Sequence, residues 1–224
     1  MLRQATAKKI ACVKVMKNSM KKTVSEKLSN NQRQILVGTL LGDAHLRANK
    51  NKSKYQYVVL QSDQHKEYVF HLYEIFKNYT LQPPKMYTFK DKRFPGRVYT
   101  RWSFYTTFQE CFRFYGHQFY SDNPEQQNGE IDNKERDSYR RRKTVPKLIH
   151  KWLTPRAIAY WYMDDGAQKW KNKSLGVRFC TDNFTLSEID RLTLTLREKY
   201  LLKTSIQKKG NGFRIYISSD SYCI

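Results

Sequence analysis

Two short apolar segments constrain this chain more than any other feature. "LVGTLLGDA" (36–44) and "IAYWYMDDG" (158–166) each run at helical spacing onto a carboxylate, and Asp43 and Asp165 lie 122 positions apart. A helix C-terminus carries partial negative charge, so ending on Asp43, or on Asp164 and Asp165 together, is unfavourable unless a cation sits among the carboxylates. The chain downstream of each segment also repeats. After the first come a Tyr- and Val-rich strand (55–61), a helix (62–79) opened by a Ser62-Asp63 cap, and a hairpin (85–105) turning at Phe94-Pro95-Gly96. After the second come a strand (175–180), a capped amphipathic helix (181–200) and a hairpin (204–218) turning at Gly210-Asn211-Gly212. The order helix, strand, helix, hairpin thus occurs twice, which makes the chain an internal pseudo-dimer.

The copies differ at their ends. The first hairpin leads into "TFQECFRFYGHQFY" (107–120), read as a helix, whereas the second leads only into "SDSYCI". Symmetry therefore predicts a second repeat lacking its last helix, with the core face of "RIYIS" exposed. The repeats are placed at 31–120 and 144–224. A polar linker at 121–143, with six acidic and six basic residues, joins them. "TVPKLIHKW" reads as a short helix, and Thr154-Pro155 as the cap and first position of the second motif helix.

Charge narrows the partner. The 224 residues carry 42 Lys and Arg against 20 Asp and Glu, a net charge of +22, and the charge is spread along the chain. Self-repulsion on that scale points to a polyanion, and with 14% aromatic residues this is a folded basic protein rather than a basic tail. Nucleic acid fits better than an anionic membrane surface. No apolar run approaches the roughly 20 residues of a membrane helix. Residues 1–30 lack an apolar period and read as a partly disordered basic arm, ahead of a transit peptide or plain solvated chain. The four cysteines are far apart and without a CxxC pair, which argues for reduced thiols and against zinc. His45, His65, His71, His117 and His150 show no metal-ligand spacing and read as surface or DNA-facing residues.

If the two motif helices lie side by side on the pseudo-two-fold, Asp43 and Asp165 meet at their C-terminal ends. Gly38 and Gly42 on one helix, with Ala157 and Ala159 on the other, would allow the approach. Two carboxylates so placed cannot both stay ionised without a cation, and hard oxygen ligands favour Mg²⁺. On a basic protein such a site suits phosphodiester cleavage. The alternative is that the aspartates cap loops or pair with Lys.

These residues resemble the two motifs of the LAGLIDADG homing endonucleases. "KTVP", "LTP", "AYWYMDDG" and "NFTLSEID" are similar to the second half of the monomeric, two-motif type of organelle introns. The resemblance extends over about residues 33–222. It implies an α+β fold of two αββαββα repeats with saddle-shaped antiparallel sheets, lying in successive major grooves of a long asymmetric DNA site. It also implies an organellar location, Mg²⁺-dependent cleavage by Asp43 and Asp165, and metal contacts that include Ala44 and Asp164, the latter as an outer-sphere group or cap. Lys143 and Gln61 match residues that order water at the metals, Gln61 loosely by one position; an ordinary phosphate contact is an equal reading of Lys143. Recognition would fall to Lys85, Lys90, Lys92, Arg93, Arg97, Arg101, Lys169, Gln207, Lys208, Lys209 and Arg214. Only about half of the strand residues can face DNA, because side chains alternate along a strand. Two rivals share the fold: an RNA maturase acting on its host intron, and a DNA-binding protein that has lost cleavage.

Overall fold

A computed structural model describes residues 27–91, 93–94, 96–121, 141–169 and 174–223. The expected arm up to residue 26 and the middle of the linker, 122–140, lie outside the described residues. Leu28, within the stretch expected as arm, is buried. Helix α1 (Asn30–Leu41) starts from a capping box: the Ser29 hydroxyl accepts the Gln32 N–H at 3.2 Å and the Gln32 side chain accepts the Ser29 N–H at 2.9 Å.

Strands β1 (His45–Ala48) and β2 (Tyr55–Ser62) come next. Helix α2 (Lys66–Phe76) is flanked by single 3-10 turns. The Ser62-Asp63 cap read from the sequence does not form; the Ser62 side chain makes no cap hydrogen bond. Beyond it lie β3 (Lys85–Lys90), β4 (Val98–Tyr105), α3 (Arg113–Phe119) and the two-residue β5 (Tyr120–Ser121). The chain resumes with β6 (Arg142–Lys143), α4 (Ile149–Trp152) and α5 (Pro155–Asp165). Helix α5 opens as the sequence predicts, with Pro155 in its first turn and the Thr154 hydroxyl accepting the Ala157 N–H at 3.2 Å. The second half continues with β7 (Gly166–Gln168), β8 (Val177–Cys180), α6 (Leu186–Tyr200), β9 (Thr204–Lys209) and β10 (Gly212–Ile217). Helix α6 starts five residues later than expected, at a Thr185–Glu188 capping box.

The two halves build the same sheet. Strand order is β1-β2-β4-β3 in one and β7-β8-β10-β9 in the other, and all pairs are antiparallel. Each sheet thus has four strands. Of these, β1 and β7 were implied by the family resemblance and not by the residue pattern. The end of the second half departs from the symmetry expectation. Ile215 and Ile217 of β10 are buried, so the core face of "RIYIS" is covered rather than exposed. The adjoining chain closes with a 3-10 turn at Ser219–Cys223.

Helices α1 and α5 lie against each other between the sheets. A Cβ on Gly38 would overlap the Ala157 carbonyl oxygen and the Tyr160 Cβ, and one on Gly42 would overlap the Asp164 side chain. Ala157 is fully buried here, but Ala159 is exposed and takes no part; Tyr160 stands in its place. On either side of the pair, each sheet supplies an aromatic anchor. Tyr57 of β2 hydrogen bonds through its hydroxyl to Thr39 of α1 at 2.8 Å and packs on Phe76, Phe104 and Phe112. Trp161 of α5 stacks on Phe179 of β8 with ring centroids 4.0 Å apart. Such ring pairs add about 0.5–1.5 kcal/mol beyond their buried area.

Because the Gly38 contact is with backbone, the helices must separate to accept a side chain. Gly38→Ala is expected to lower unfolding stability by about 1–3 kcal/mol. Gly210→Ala meets no atom and carries only the strain of a positive φ, so it should cost less. Chemical denaturation measures both, and an unchanged midpoint for Gly38→Ala would mean the helix contact is not tight.

Candidate functional site

The helix pair delivers three carboxylates to one place. Asp43 lies just past α1, and Asp164 and Asp165 end α5. The Asp43 N–H donates to Asp164 Oδ2 at 3.2 Å, so Asp164 holds the Asp43 backbone across the pair. Gln61, at the end of β2, bridges them: its amide donates to Asp43 Oδ2 at 2.9 Å and to Asp164 Oδ1 at 3.3 Å. The buried Tyr68 hydroxyl lies beside Asp164 without reaching hydrogen-bond geometry.

Lys143 closes the site from the linker side. Its ammonium donates to the Gly42 carbonyl at 2.6 Å and the Ala44 carbonyl at 2.8 Å. Its backbone is fixed by the β5–β6 ladder, where it pairs with Tyr120. Next to it, Arg142 makes a two-pronged ion pair with Glu188 of the α6 cap, at 2.8 and 3.0 Å. That pair anchors the linker's end onto the second repeat.

The electrostatics are those of a crowded anionic site. Burial, then the Asp43 charge, push the Asp164 carboxyl up to about 7. The same two causes raise Asp165 to about 7, against the pull of Lys143. Burial brings Lys143 down to about 8, although all three carboxylates work the other way. His45 in β1 is lowered to about 4, first by burial and then by Lys143 and Arg47, so it is neutral at pH 7. A cleft of about 640 Å³ opens from Asp43, Lys143 and Asp165 towards Asp182. The sequence reading missed Asp182. It sits in the β8–α6 connection and pairs with Arg214 of β10 at 2.7 Å, near enough to Asp165 to raise its pKa. Its place in "TDNFTLSEID" looked like a helix cap, which hid it.

Oxygen atoms dominate this cluster: the carboxylates of Asp43 and Asp165 and the carbonyls of Gly42 and Ala44 are hard donors of the kind that hold Mg²⁺ or Ca²⁺. The Lys143 ammonium, resting on the two carbonyls, shows that the pocket accepts a cation. Among the described residues no group of three or more His, Cys, Asp or Glu side chains converges as a preformed ligand cage. A metal here would complete its shell from outside the protein.

The expected recognition residues divide by strand face. Cross-strand registry places Lys85, Tyr87 and Arg101 on the face of the first sheet turned from α2, with the Arg101 guanidinium 3.9 Å above the Phe89 ring. On the second sheet the corresponding face carries Gln207, Lys209, Arg214 and Tyr216, and Lys169 lies 4.2 Å over the Tyr216 ring. Lys90 and Lys208 fall on the opposite faces. Arg93 is tied to Asp91 at 2.7 Å in the β3–β4 turn, where Arg97 approaches the Phe94 ring. Lys92 lies outside the described residues. Four of the five histidines, His65, His71, His117 and His150, are exposed, as the sequence predicts; His71 also stacks on Tyr160 and bonds its hydroxyl at 2.6 Å, and His117 meets Tyr55 edge-on.

The family model of the LAGLIDADG DNA endonucleases matches residues 33–223, and the chain belongs to that family. DNA endonuclease I-ChuI of Chlamydomonas applanata is 30% identical over 202 residues, 87% of this chain and 86% of that protein. Cytochrome b mRNA maturase bI2 of Debaryomyces hansenii is 28% identical over 190 residues, 84% of this chain and 64% of that protein. Among solved structures, the homing endonuclease I-WcaI bound to its DNA recognition sequence superposes with a TM-score of 0.75 at 25% identity, covering 88% of this chain and 79% of the other.

The raised carboxyl pKa values carry a sign that can be measured. Asp164 and Asp165 bind protons more tightly folded than unfolded, so their contribution is present at low pH and lost as pH rises from about 4 through 7. Lys143 has a lowered folded pKa, so stability returns as pH climbs from about 8 towards 10.5. In chelator, the melting temperature should fall between pH 5 and 8, and Asp165→Asn should flatten that fall. An Asp165→Asn protein with the wild-type slope would contradict the crowding.

Proposed function

We propose that the protein is a site-specific endonuclease that hydrolyses both strands of a long, asymmetric DNA duplex. One observation carries this reading: three carboxylates from two repeats converge, with a single buried ammonium facing them, at the end of a helix pair flanked by two basic sheets. Asp43 and Asp165 would hold a divalent cation, with Mg²⁺ the expected ion, together with the Ala44 carbonyl. Bound there, the ion supplies Lewis acidity and neutralises charge developing on phosphate. Asp164 fixes the Asp43 backbone and Gln61 its carboxylate. Lys143, poised near pH 8, is suited to orient water or move a proton. The open faces bearing Lys85, Arg101, Gln207, Lys209, Lys169 and Arg214 would follow the major groove, Arg and Gln reading base edges and Lys mostly phosphate. The pseudo-two-fold within one chain suits a monomer and an asymmetric site. Intron-encoded function in an organelle is the matching setting. No described helix is long and apolar enough to cross a membrane.

Asp43→Asn and Asp165→Asn each remove an anionic ligand while keeping size. Each should reduce double-strand cleavage by at least about 100-fold, since disturbing even an outer partner of a metal ligand costs 10–100-fold. Stability should hold or rise, because a carboxylate leaves a helix C-terminus. Target selection from randomised duplexes, then plasmid cleavage and thermal unfolding of each variant, tests this. A folded Asp165→Asn protein cutting at the wild-type rate would overturn it. DNA affinity should also fall steeply with salt, with a log–log slope near −0.9 per phosphate neutralised. A flat plot would exclude DNA as the partner.

A further inference from the structure

A second cleft lies at the other end of the motif helices. It has a volume of about 460 Å³ and is lined near the N-terminus of α1 by Lys27, Arg33 and Gln34, and from the other elements by Phe114, Lys151 and Trp152. Helix α1 is about 18 Å long, and the cleft lies along its first two turns, Asn30 to Val37, while the carboxylates lie beyond its other end. Duplex DNA on the sheets would leave it free.

Its chemistry is that of a stacking platform. Phe114, 53% exposed, meets Tyr115 and Trp152 edge-on with centroids 5.4 Å away in each case, and Tyr115 meets Trp152 at 6.2 Å. Burying such a ring inside the protein is the usual outcome; here it stands at the mouth of a cleft. Three cations, Lys27, Arg33 and Lys151, line the same space, and no carboxylate does. The Arg33 guanidinium is held by its Nε, which donates to the Leu28 carbonyl at 2.9 Å. Exposed aromatic rings beside fixed cations bind unpaired bases and their phosphates, at roughly 1–3 kcal/mol per stacked base. Polar groups complete the rim: Asn30, and Thr154 paired to Gln34 at 2.8 Å, are within the lining and can exchange hydrogen bonds with a ribose 2′-hydroxyl. The chain's own N-terminal segment is a poor occupant. Residues 1–26 carry seven basic residues and one acid, so a cleft of three cations repels them.

We propose that this cleft binds single-stranded RNA, separately from the DNA-binding sheets. The test measures binding of a short, labelled, mixed-sequence RNA to the full chain, with and without a saturating DNA duplex, and of the matched single-stranded DNA. RNA should bind with the duplex in place. Phe114→Ala with Lys151→Glu should weaken RNA at least tenfold, while duplex binding stays at the wild-type value and thermal unfolding stays cooperative, if at a somewhat lower midpoint. Arg101→Glu should do the reverse. Displacement of RNA by the duplex, loss of RNA binding only on Arg101→Glu, or equal affinity for the matched DNA strand would each overturn the proposal. None of these outcomes depends on cleavage, so an inactive nuclease could still carry the RNA site.

Discussion

The close approach of α1 and α5 is the constraint on which everything else rests. Gly38 admits the Ala157 carbonyl, and Gly42 admits the Asp164 side chain, so two helices from different repeats end together. That contact is at once the seam between the repeats and the device that gathers Asp43, Asp164 and Asp165. The aromatic anchors on either side, Tyr57 against α1 and Trp161 against Phe179, fix the sheets relative to the seam. Sheet placement and carboxylate placement are therefore not independent.

Gathering the carboxylates has an electrostatic cost that stability alone would not retain. Burial and mutual repulsion favour their neutral forms, and only one buried ammonium, that of Lys143, faces all three carboxylates among the described residues. The two halves also meet this cost unequally. Where the first motif has Gly42, the second has Asp164, and the latter accepts the Asp43 N–H just past the first motif's helix. The cleft near Asp165 gains a further carboxylate, Asp182, neutralised by Arg214. Symmetric topology thus carries an asymmetric site.

Much of this was legible in the sequence, for identifiable reasons. The apolar helices ending on Asp, the Thr154-Pro155 start and both hairpins are local signals, and local geometry realises them. Strands β1 and β7 were not legible from residue pattern: "HLRA" and "GAQ" are too short to show alternation and lack β-branched residues. The covered face of Ile215 and Ile217 depends on packing that internal symmetry alone mispredicted. Gln61 and Lys143 came from resemblance, and the structure brings both to the carboxylates. Asp182, Tyr68 and the Arg142–Glu188 pair were hidden because their partners are 32 or more positions away in sequence. The second cleft was hidden for the same reason, its rings coming from α3 and α4.

If Asp43 and Asp165 form one cation site at the helix ends, the protein must take up a divalent ion without any substrate. Electron paramagnetic resonance of free Mn²⁺, titrated with protein near pH 7.5, measures this directly. The wild type should remove Mn²⁺ from solution with a stoichiometry that saturates, and Asp43→Asn and Asp165→Asn should each weaken the binding at least about tenfold. Wild-type Mn²⁺ affinity in both folded variants would contradict a shared site.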